Sequence, residues 1–237
     1  MTKETIFETP TGEKVPAITA EQMREVDRIA VEEIGLGLLQ MMENAGRNLA
    51  QQVRSTADDS VTVLAGSGGN GGGGLATARH LANRGVDVSV VLDREPANLD
   101  GAAATQLETV EAMDIPITVW SNETIRDSTT IVDALVGYGL SGPLRGTAAE
   151  IATAVSDESA TVVSLDVPTG VNATTGDAPG PHITPDVTLT LALPKTGLTD
   201  TPGRLVLGDI GIPAVVYERA GIEYANPFDG YRIELRN

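Results

Sequence analysis

The strand–turn–helix pattern of this chain begins with VTVLAGSGGNGGGGLATARHLA at residues 61–82. The first five residues are β-branched or apolar, which predicts a buried strand. Seven of the nine positions from Gly66 to Gly74 are glycine. The backbone there can therefore approach a ligand closely and point its N–H groups at a phosphate. The apolar residues that follow recur at helical spacing, and Gly85 ends the predicted helix.

Similar apolar runs follow along the chain and are separated by helical or loop segments. They lie at residues 86–92, 115–120, 130–136, 161–165, 187–193 and 205–206. Buried β-branched runs joined by crossover helices predict an α/β three-layer sandwich, in which a mostly parallel sheet carries helices on both faces. In such sheets ligands bind beyond the carboxyl ends of the strands, so the functional residues are expected there.

Two amphipathic helices are predicted before the first strand. Thr19 and Gln22 have the spacing of a capping box, which would begin a helix over about residues 20–34. After a break at glycines, the apolar residues between Leu38 and Val53 give a second helix.

The domain organisation follows from length and local composition. At 237 residues the chain fits one α/β domain. Residues 1–17 are polar and contain two prolines, which predicts a flexible N-terminal arm. No internal repeat or linker is evident, so residues 18–237 are expected to form a single domain.

The composition excludes several kinds of protein. There is no cysteine and there are only two histidines, so disulfides, thiolate nucleophiles, zinc–cysteine sites and a multi-histidine metal site are not expected. No segment is long and apolar enough for a membrane span or a signal core, which predicts a cytoplasmic protein with no membrane role.

The net charge is −17, from 33 acidic and 16 basic residues. Only three of the basic residues are lysines, Lys3, Lys14 and Lys195. Such a surface repels itself in dilute salt, but at molar salt the screening length falls to about 3 Å. The charge therefore indicates a salt-loving source organism. Because there is no basic stripe, nucleic-acid binding is disfavoured.

The glycine-rich motif, taken by itself, can be interpreted in two ways. Residues 66–71 satisfy G-x-G-x-x-G, and Asp93 follows about 20 residues later, at the end of the next predicted strand, where a ribose-binding acid would lie. This favours a nicotinamide-dependent oxidoreductase. The same glycines also fit a flexible turn that binds no ligand.

Two further strand ends carry acids. Asp133 lies inside an apolar run and Asp166 ends the next one. A buried acid is costly unless it is paired, hydrogen-bonded or bound to a cation. Asp133 could instead face water at a sheet edge, and Asp166 could simply cap a turn. If Asn70, Asp133 and Thr169 converge, they form an all-oxygen, singly charged set that suits a hard monovalent cation.

With these motifs the chain resembles the NAD(P)H-hydrate epimerase family, also called the YjeF N-terminal domain family (apolipoprotein A-I-binding protein-like). The resemblance covers about residues 18–210 and includes the two leading helices. The matching motifs occur in the family's order, at residues 19–27, 42–46, 66–81, 132–134, 165–170 and 193–195.

The resemblance implies a function, a topology and partners. Members interconvert the C6 epimers of hydrated NADH and NADPH, which are damaged cofactors that a separate ADP- or ATP-dependent dehydratase repairs. The resemblance further implies Rossmann-like topology, a homodimer and a bound potassium ion held by Asn70, Asp133 and Thr169.

The resemblance also implies the substrate contacts. They are Gly69, Asn70, Gly71, Gly72, Gly73, Gly137, Tyr138, Gly139, Leu140, Ser141, Gly142, Pro143 and Asp166. Epimerisation needs an acid and a base within hydrogen-bond reach of the C6 hydroxyl. Asp166 and Asp133 are the candidate catalytic residues.

The chain departs from the family in its glycine loop. The family pattern is Asn-Asn-Gly-Gly-Asp, whereas this chain has glycine at Gly69 and Gly73 in place of the first asparagine and the acid. Thr169 replaces the family serine and keeps its hydroxyl. The missing acid leaves a second interpretation open, a catalytically inactive module that binds a nucleotide or a protein. The NAD(P)-dependent oxidoreductase is the third.

Overall fold

A computed structural model describes residues 5–56, 60–121, 125 and 128–236. The strands within these residues are β1 (Ile6–Glu8), β2 (Lys14–Pro16), β3 (Ser60–Ala65), β4 (Asp87–Leu92), β5 (Ile117–Val119), β6 (Thr130–Ala134), β7 (Thr161–Leu165), β8 (Val187–Leu191), β9 (Arg204–Gly208) and β10 (Arg232–Leu235). The α-helices are α1 (Ala20–Arg28), α2 (Leu38–Thr56), α3 (Gly69–Ala82), α4 (Gly101–Glu111), α5 (Gly146–Val155) and α6 (Ala214–Arg219).

Eight strands form one sheet in the order β10-β9-β8-β7-β6-β3-β4-β5. Neighbouring strands are parallel except β9 and β10, which are antiparallel. From the centre the chain winds outward through β4 and β5 on one side and through β7, β8 and β9 on the other. The switch point therefore lies between β3 and β6, where the connections that leave the two strands diverge and open a crevice.

Helices cover both faces of this sheet. The larger apolar core packs α1, α2, α3 and α4 against one face, with Leu49 and Leu107 among its fully or nearly fully buried residues. The smaller core packs Ile151 and Val155 of α5 against Val162 on the opposite face. The α/β architecture with a mostly parallel sheet between helices is therefore confirmed, and so is the predicted pair of leading helices.

The first of these helices begins as the sequence predicts. The side chain of Thr19 accepts a hydrogen bond from the backbone of Gln22, and the side chain of Gln22 accepts one from the backbone of Thr19. The predicted α-helix over residues 20–34 is wrong in its second half, because α1 ends at Arg28 and a π-helical segment, Ile29–Ile34, continues it. Gly35, with φ of 80°, ends that segment in a left-handed conformation.

The flexible arm expected at residues 1–17 is not what the structure shows for its described part, residues 5–17. Strands β1 and β2 form an antiparallel hairpin, and Phe7 and Val15 are each 1% exposed. The arm is ordered because alternate residues of these short strands reach the main core, a period-two pattern that the polar composition concealed. Residues 1–4 lie outside the described residues. That residues 18–237 form a single domain stays a prediction.

The turn between β3 and α3 depends on glycine at two positions. A Cβ atom at Gly71 would lie 1.7 Å from the carbonyl oxygen of Gly66, and one at Gly66 would lie 2.1 Å from the carbonyl oxygen of Leu135. No side chain fits at either site. The turn therefore lies directly against the end of β6, at the switch point.

Helices α2 and α3 also touch through their backbones. A Cβ atom at Gly46 would stand 2.4 Å from the Cβ of Ala76 and 2.8 Å from the carbonyl oxygen of Gly73. The hydroxyl of Thr77 donates a hydrogen bond of 2.8 Å to that same carbonyl. This contact fixes the start of α3 against α2.

Two elements near the C-terminus were not predicted from the sequence, α6 and β10. Strand β10 adds to the edge of the sheet beside β9, which is itself longer than the short apolar run at residues 205–206. None of the helices in the described part of the chain is both long and apolar enough to cross a membrane.

Candidate active site

A cavity of about 550 Å³ opens at the switch point, above the carboxyl ends of β3, β6 and β7. Its walls come from the turn after β3, the loop after β6, the end of β7, and helices α1 and α2. Asn70, Tyr138 and Asp166 are among the residues that line it. This is the place where a doubly wound sheet binds ligands.

Asp166 is held rigidly at the floor of the cavity. It is 4% exposed, and its backbone takes a left-handed φ of 66°, a conformation that Asp tolerates better than most residues. Its Oδ2 accepts a hydrogen bond of 3.1 Å from the backbone of Tyr138, and its Oδ1 accepts one of 3.3 Å from the backbone of Leu191. The alternative that Asp166 only caps a turn is incomplete, because its side chain also forms an ion pair in the cavity.

That ion pair joins Asp166 to Lys195. The Nζ of Lys195 lies 2.5 Å from Oδ1 of Asp166 and 2.8 Å from the carbonyl oxygen of Leu191. Lys195 is 1% exposed, yet it lines the cavity together with Asp166. Sequence reasoning quoted Lys195 only as part of a motif and did not include it among the site residues. The available signal was its rarity, as one of three lysines in the chain.

A second pair, Tyr138 and Asp27, also lines the cavity. The hydroxyl of Tyr138 donates a hydrogen bond of 2.5 Å to Oδ2 of Asp27, which belongs to α1. Burial raises the pKa of Asp27, although this hydrogen bond and the charge of Lys195 act in the opposite direction. Burial and the nearby charge of Asp27 raise the pKa of Tyr138. Asp27 is a further cavity residue that sequence reasoning missed.

Asp133 lies beneath the cavity and is completely buried. It is in β6, between β3 and β7, so the alternative of a water-facing acid at a sheet edge is wrong. Its oxygens accept four hydrogen bonds, from the hydroxyl of Ser164, the amide of Leu135, and both the amide and the hydroxyl of Thr169. Burial raises the pKa of Asp133, and these hydrogen bonds only partly offset that effect.

The surroundings of Asp133 fit a cation. All four of its hydrogen-bond donors are uncharged, and among the described residues no Lys, Arg or His forms an ion pair with it. A buried carboxylate normally has a paired cation or a metal nearby. Within the same residues no group of three or more His, Asp or Glu side chains is placed to hold a metal ion.

Asn70, in the first turn of α3, carries an unsatisfied group. Its Nδ2 is buried and has no hydrogen-bond partner. A Cβ atom at Gly137 would lie 3.1 Å from both Oδ1 of Asn70 and Oδ2 of Asp166. The two side chains therefore face the same glycine from two sides. Turning the amide of Asn70 by half a turn would put its oxygen in the buried position, where a cation would satisfy it.

The structure separates the residues for which the resemblance implied substrate contacts into three groups. Six of them line the cavity, namely Gly69, Asn70, Gly137, Tyr138, Gly139 and Asp166. Four line a neighbouring hollow of about 660 Å³, namely Leu140, Ser141, Gly142 and Pro143. Three are buried inside α3 and line neither space, namely Gly71, Gly72 and Gly73. Which of them contact the substrate stays a prediction.

The cavity and the hollow share a polar pair. Asp93 and Arg94 line both spaces, and the guanidinium of Arg94 donates hydrogen bonds of 2.9 and 3.0 Å to the two oxygens of Asp93. The acid that the G-x-G-x-x-G pattern singled out therefore lies in the cavity wall, with both oxygens already engaged by its neighbour.

The space that the side chain of an acid at position 73 would need is filled by the side chain of Leu165. A Cβ atom at Gly73 would lie 2.8 Å from Cδ2 of Leu165, and 3.7 Å from the Cβ of Ala45. Any side chain there must displace Leu165. In this chain, glycine at position 73 and leucine at position 165 are thus a matched pair.

We expect Gly73→Asp to lower the free energy of unfolding by about 1–3 kcal/mol, because it overpacks a buried site. Leu165→Val in the same chain should recover part of this loss, with a coupling energy of at least about 0.5 kcal/mol. Urea denaturation of the four proteins of the double-mutant cycle measures it. Gly68→Asp is the control, because a Cβ atom at Gly68 meets nothing within 4 Å. If the losses of unfolding free energy from Gly73→Asp and Leu165→Val simply add, the side chain of Leu165 is not what opposes a side chain at position 73.

The chain is similar to known proteins over most of its length. The family model described as YjeF-related protein N-terminus matches residues 38–197. The chain is 44% identical to the NAD(P)H-hydrate epimerase of Dehalogenimonas lykanthroporepellens, over 97% of this chain and 96% of that one. It is 37% identical to the bifunctional NAD(P)H-hydrate repair enzyme Nnr of Salinibacter ruber, over 86% of this chain but only 42% of that protein. The crystal structure of yeast ynu0 superposes with a TM-score of 0.81 at 24% identity, covering 92% of this chain and 99% of that one.

Proposed function

Because the chain belongs to the family of YjeF-related protein N-termini, we propose that it interconverts the two C6 epimers of hydrated NADH and NADPH. It is an NAD(P)H-hydrate epimerase, an isomerase of metabolite repair. The observation that carries this proposal is the similarity to an NAD(P)H-hydrate epimerase along nearly the whole length of both chains. The cavity at the switch point, with its carboxylate and ammonium, supplies a site for the reaction.

The reaction changes the configuration at C6, which bears a hydroxyl and is bonded to the ring nitrogen. Departure of water from C6 gives a planar cation that water attacks from either face, and reversible ring opening is the other route. Both routes need a proton to be moved at that hydroxyl. Of the two acids considered, Asp166 lines the cavity, whereas Asp133 is fully buried and satisfied by four hydrogen bonds. Asp166 is therefore the carboxylate that we propose takes part in this proton transfer.

Asn70, Asp133 and Thr169 would hold a potassium ion beneath the cavity. The support is the buried carboxylate of Asp133 with no ion-pair partner in the described part of the chain, together with the unsatisfied amide of Asn70. When bound, the ion supplies a fixed positive charge that neutralises Asp133. The residues themselves order the floor of the cavity, since Thr169 also accepts a hydrogen bond from the backbone of Val136 at the start of the β6 loop.

The epimerase is tested with a mixture of the two epimers of hydrated NADH and a dehydratase that consumes only one of them. We expect the protein to accelerate recovery of NADH absorbance from the epimer that the dehydratase leaves, and to do so faster in KCl than in NaCl of equal concentration. Asn70→Ala should lose the difference between the salts, whereas Asn98→Ala, an exposed position, should keep it.

Two outcomes would contradict these proposals. Recovery equal to the protein-free control, with a folded protein, would overturn the epimerase. Equal rates in the two salts would overturn the potassium site alone.

The two other interpretations of the sequence are not favoured. The relatives of this chain are named as an epimerase and a repair enzyme, which does not favour an oxidoreductase. The interpretation as an inactive binding module rested on the missing acid at position 73, where the side chain of Leu165 takes up the space, and the relatives named as epimerases do not favour it.

We also propose a functional partner, an oligomeric state and a location for the protein. The product would pass to a separate dehydratase; in Salinibacter ruber a bifunctional relative is named for the whole repair reaction. A homodimer is supported by exposed apolar side chains on α2 and the segment before it, Leu38, Leu39 and Val31. A cytoplasmic location and a salt-loving source remain proposals that rest on composition and on the charge of −17.

A further inference from the structure

We propose that Lys195 is the proton donor of the epimerase, which delivers a proton to the C6 hydroxyl while Asp166 acts as the base. This inference rests on the proposed function and assigns a catalytic role to a residue that is neither one of the substrate contacts nor one of the cation ligands implied by the resemblance.

The position of Lys195 carries the proposal. Its side chain is almost wholly buried, and Lys195 is one of the residues that line the 550 Å³ cavity. Two of its three N–H groups have acceptors in the described structure, Oδ1 of Asp166 and the carbonyl oxygen of Leu191. The ring of Tyr138 stands 5.8 Å from Nζ and forms the adjacent wall. A third N–H group is thus left for a ligand in the cavity.

Asp166 is arranged as a base and not as an acid. All three of its hydrogen bonds come from N–H donors, namely the ammonium of Lys195 and the amides of Tyr138 and Leu191. These donors stabilise the ionised carboxylate, which only accepts hydrogen bonds. A separate group must therefore give the proton to the leaving hydroxyl.

The other titratable groups that line the cavity are less suited to donate a proton to the C6 hydroxyl. Arginine side chains also line the cavity, but a guanidinium group is not deprotonated in proteins. The hydroxyl of Tyr138 is already directed at Asp27. The oxygens of Asp93 accept hydrogen bonds from Arg94. Asp27 is the remaining competitor, because burial favours its protonated form, and the experiment below includes it.

The proposed step balances without any co-reactant. The C6–O bond breaks with its electron pair going to oxygen, which takes a proton from Lys195 and leaves as water. The lone pair of the ring nitrogen forms the C6–N double bond of a cation, and Asp166 stabilises that charge. Because Asp166 and Lys195 are paired on one side of the ring, the planar cation must first turn its other face toward them. Water then adds to that face and gives a proton to Asp166. The 2.5 Å hydrogen bond between Asp166 and Lys195 returns that proton to Nζ, so the enzyme is restored.

The test compares Lys195→Met with Lys14→Met, which changes an exposed lysine in the hairpin. We expect Lys195→Met to lower kcat by about 10²–10⁴-fold, with little change in KM or in the half-saturating concentration of KCl. Lys14→Met should keep the wild-type kcat. Wild-type kcat in a folded Lys195→Met protein would overturn the proposal. Loss of activity in the wild type and Lys14→Met alike would instead overturn the proposed function.

A second pair of variants separates proton donation from charge alone. In Lys195→Ala, added primary amines should restore turnover, and the restored rate should depend on the acidity of the amine, as general acid catalysis requires. A rate independent of amine acidity, or full activity in Lys195→Arg, would show a charge that only positions Asp166. If Asp27→Asn removes the activity while Lys195→Met keeps it, the donor is Asp27 and the proposal fails.

Discussion

Asp166→Asn is expected to lower the epimerisation rate by about 10²–10⁴-fold, since it removes the base from the cavity. Asparagine has nearly the same shape, tolerates the left-handed backbone of this position, and keeps one oxygen for the ammonium of Lys195. With that oxygen kept for Lys195, the new NH₂ group meets the backbone N–H of Tyr138, so a loss of stability accompanies the loss of kcat. The rate is therefore compared under conditions in which the variant is fully folded. The coupled dehydratase assay measures the rate, and circular dichroism with urea denaturation checks the fold.

The matched control for this substitution is Asp114→Asn. Asp114 also has a positive φ, of 54°, but it is exposed after α4 and lines no part of the cavity. We expect it to retain the wild-type rate. An Asp166→Asn protein with the rate of its control would show that the carboxylate takes no part in the reaction.

Asp133→Asn is expected to be the most destabilising of the conservative changes in the site. One oxygen of Asp133 accepts from the amide of Leu135 and the other from the amide of Thr169. Whichever way the new amide turns, its NH₂ group meets a backbone N–H donor that cannot reorient. We expect a loss of about 2–4 kcal/mol in the free energy of unfolding, and a Tm lowered by on the order of 5–10 °C.

Urea denaturation and thermal melting in molar KCl measure this effect. Asp87→Asn is the control, because Asp87 begins β4 and is exposed. Its stability should match the wild type. If Asp133→Asn has the same Tm as Asp87→Asn, the four hydrogen bonds of Asp133 do not stabilise this region. Its epimerase rate should also lose the advantage of KCl over NaCl.

Local sequence patterns were enough for the elements that define the sheet. The capping box at Thr19, the apolar run before the glycine turn and the acid at the end of β7 each combine neighbouring residues, and the structure has all three features. Asp133 was found for a similar reason, since one acid in an apolar run is conspicuous. What it binds depends on Thr169, 36 positions later.

Features built from distant residues could not be derived in this way. Lys195 meets Asp166 across 29 positions, and Tyr138 meets Asp27 across 111. Each partner alone has the appearance of an ordinary charged or aromatic residue. The N-terminal hairpin was missed because the burial of Phe7 depends on a core that the rest of the chain supplies. The change to a π-helix at Ile29 likewise leaves no mark in the apolar spacing.

The backbone contact between α2 and α3 has a consequence for motion. Helices that meet through Gly46 without intervening side chains have no layer of rotamers that can rearrange to let them slide apart. Met42 on α2 and Asn70 on α3 therefore move as one rigid body on their side of the cavity. Any widening of the entrance that a dinucleotide needs must therefore come from other parts of the cavity wall, such as the loop after β6, where Gly139 and residues 141–143 are exposed.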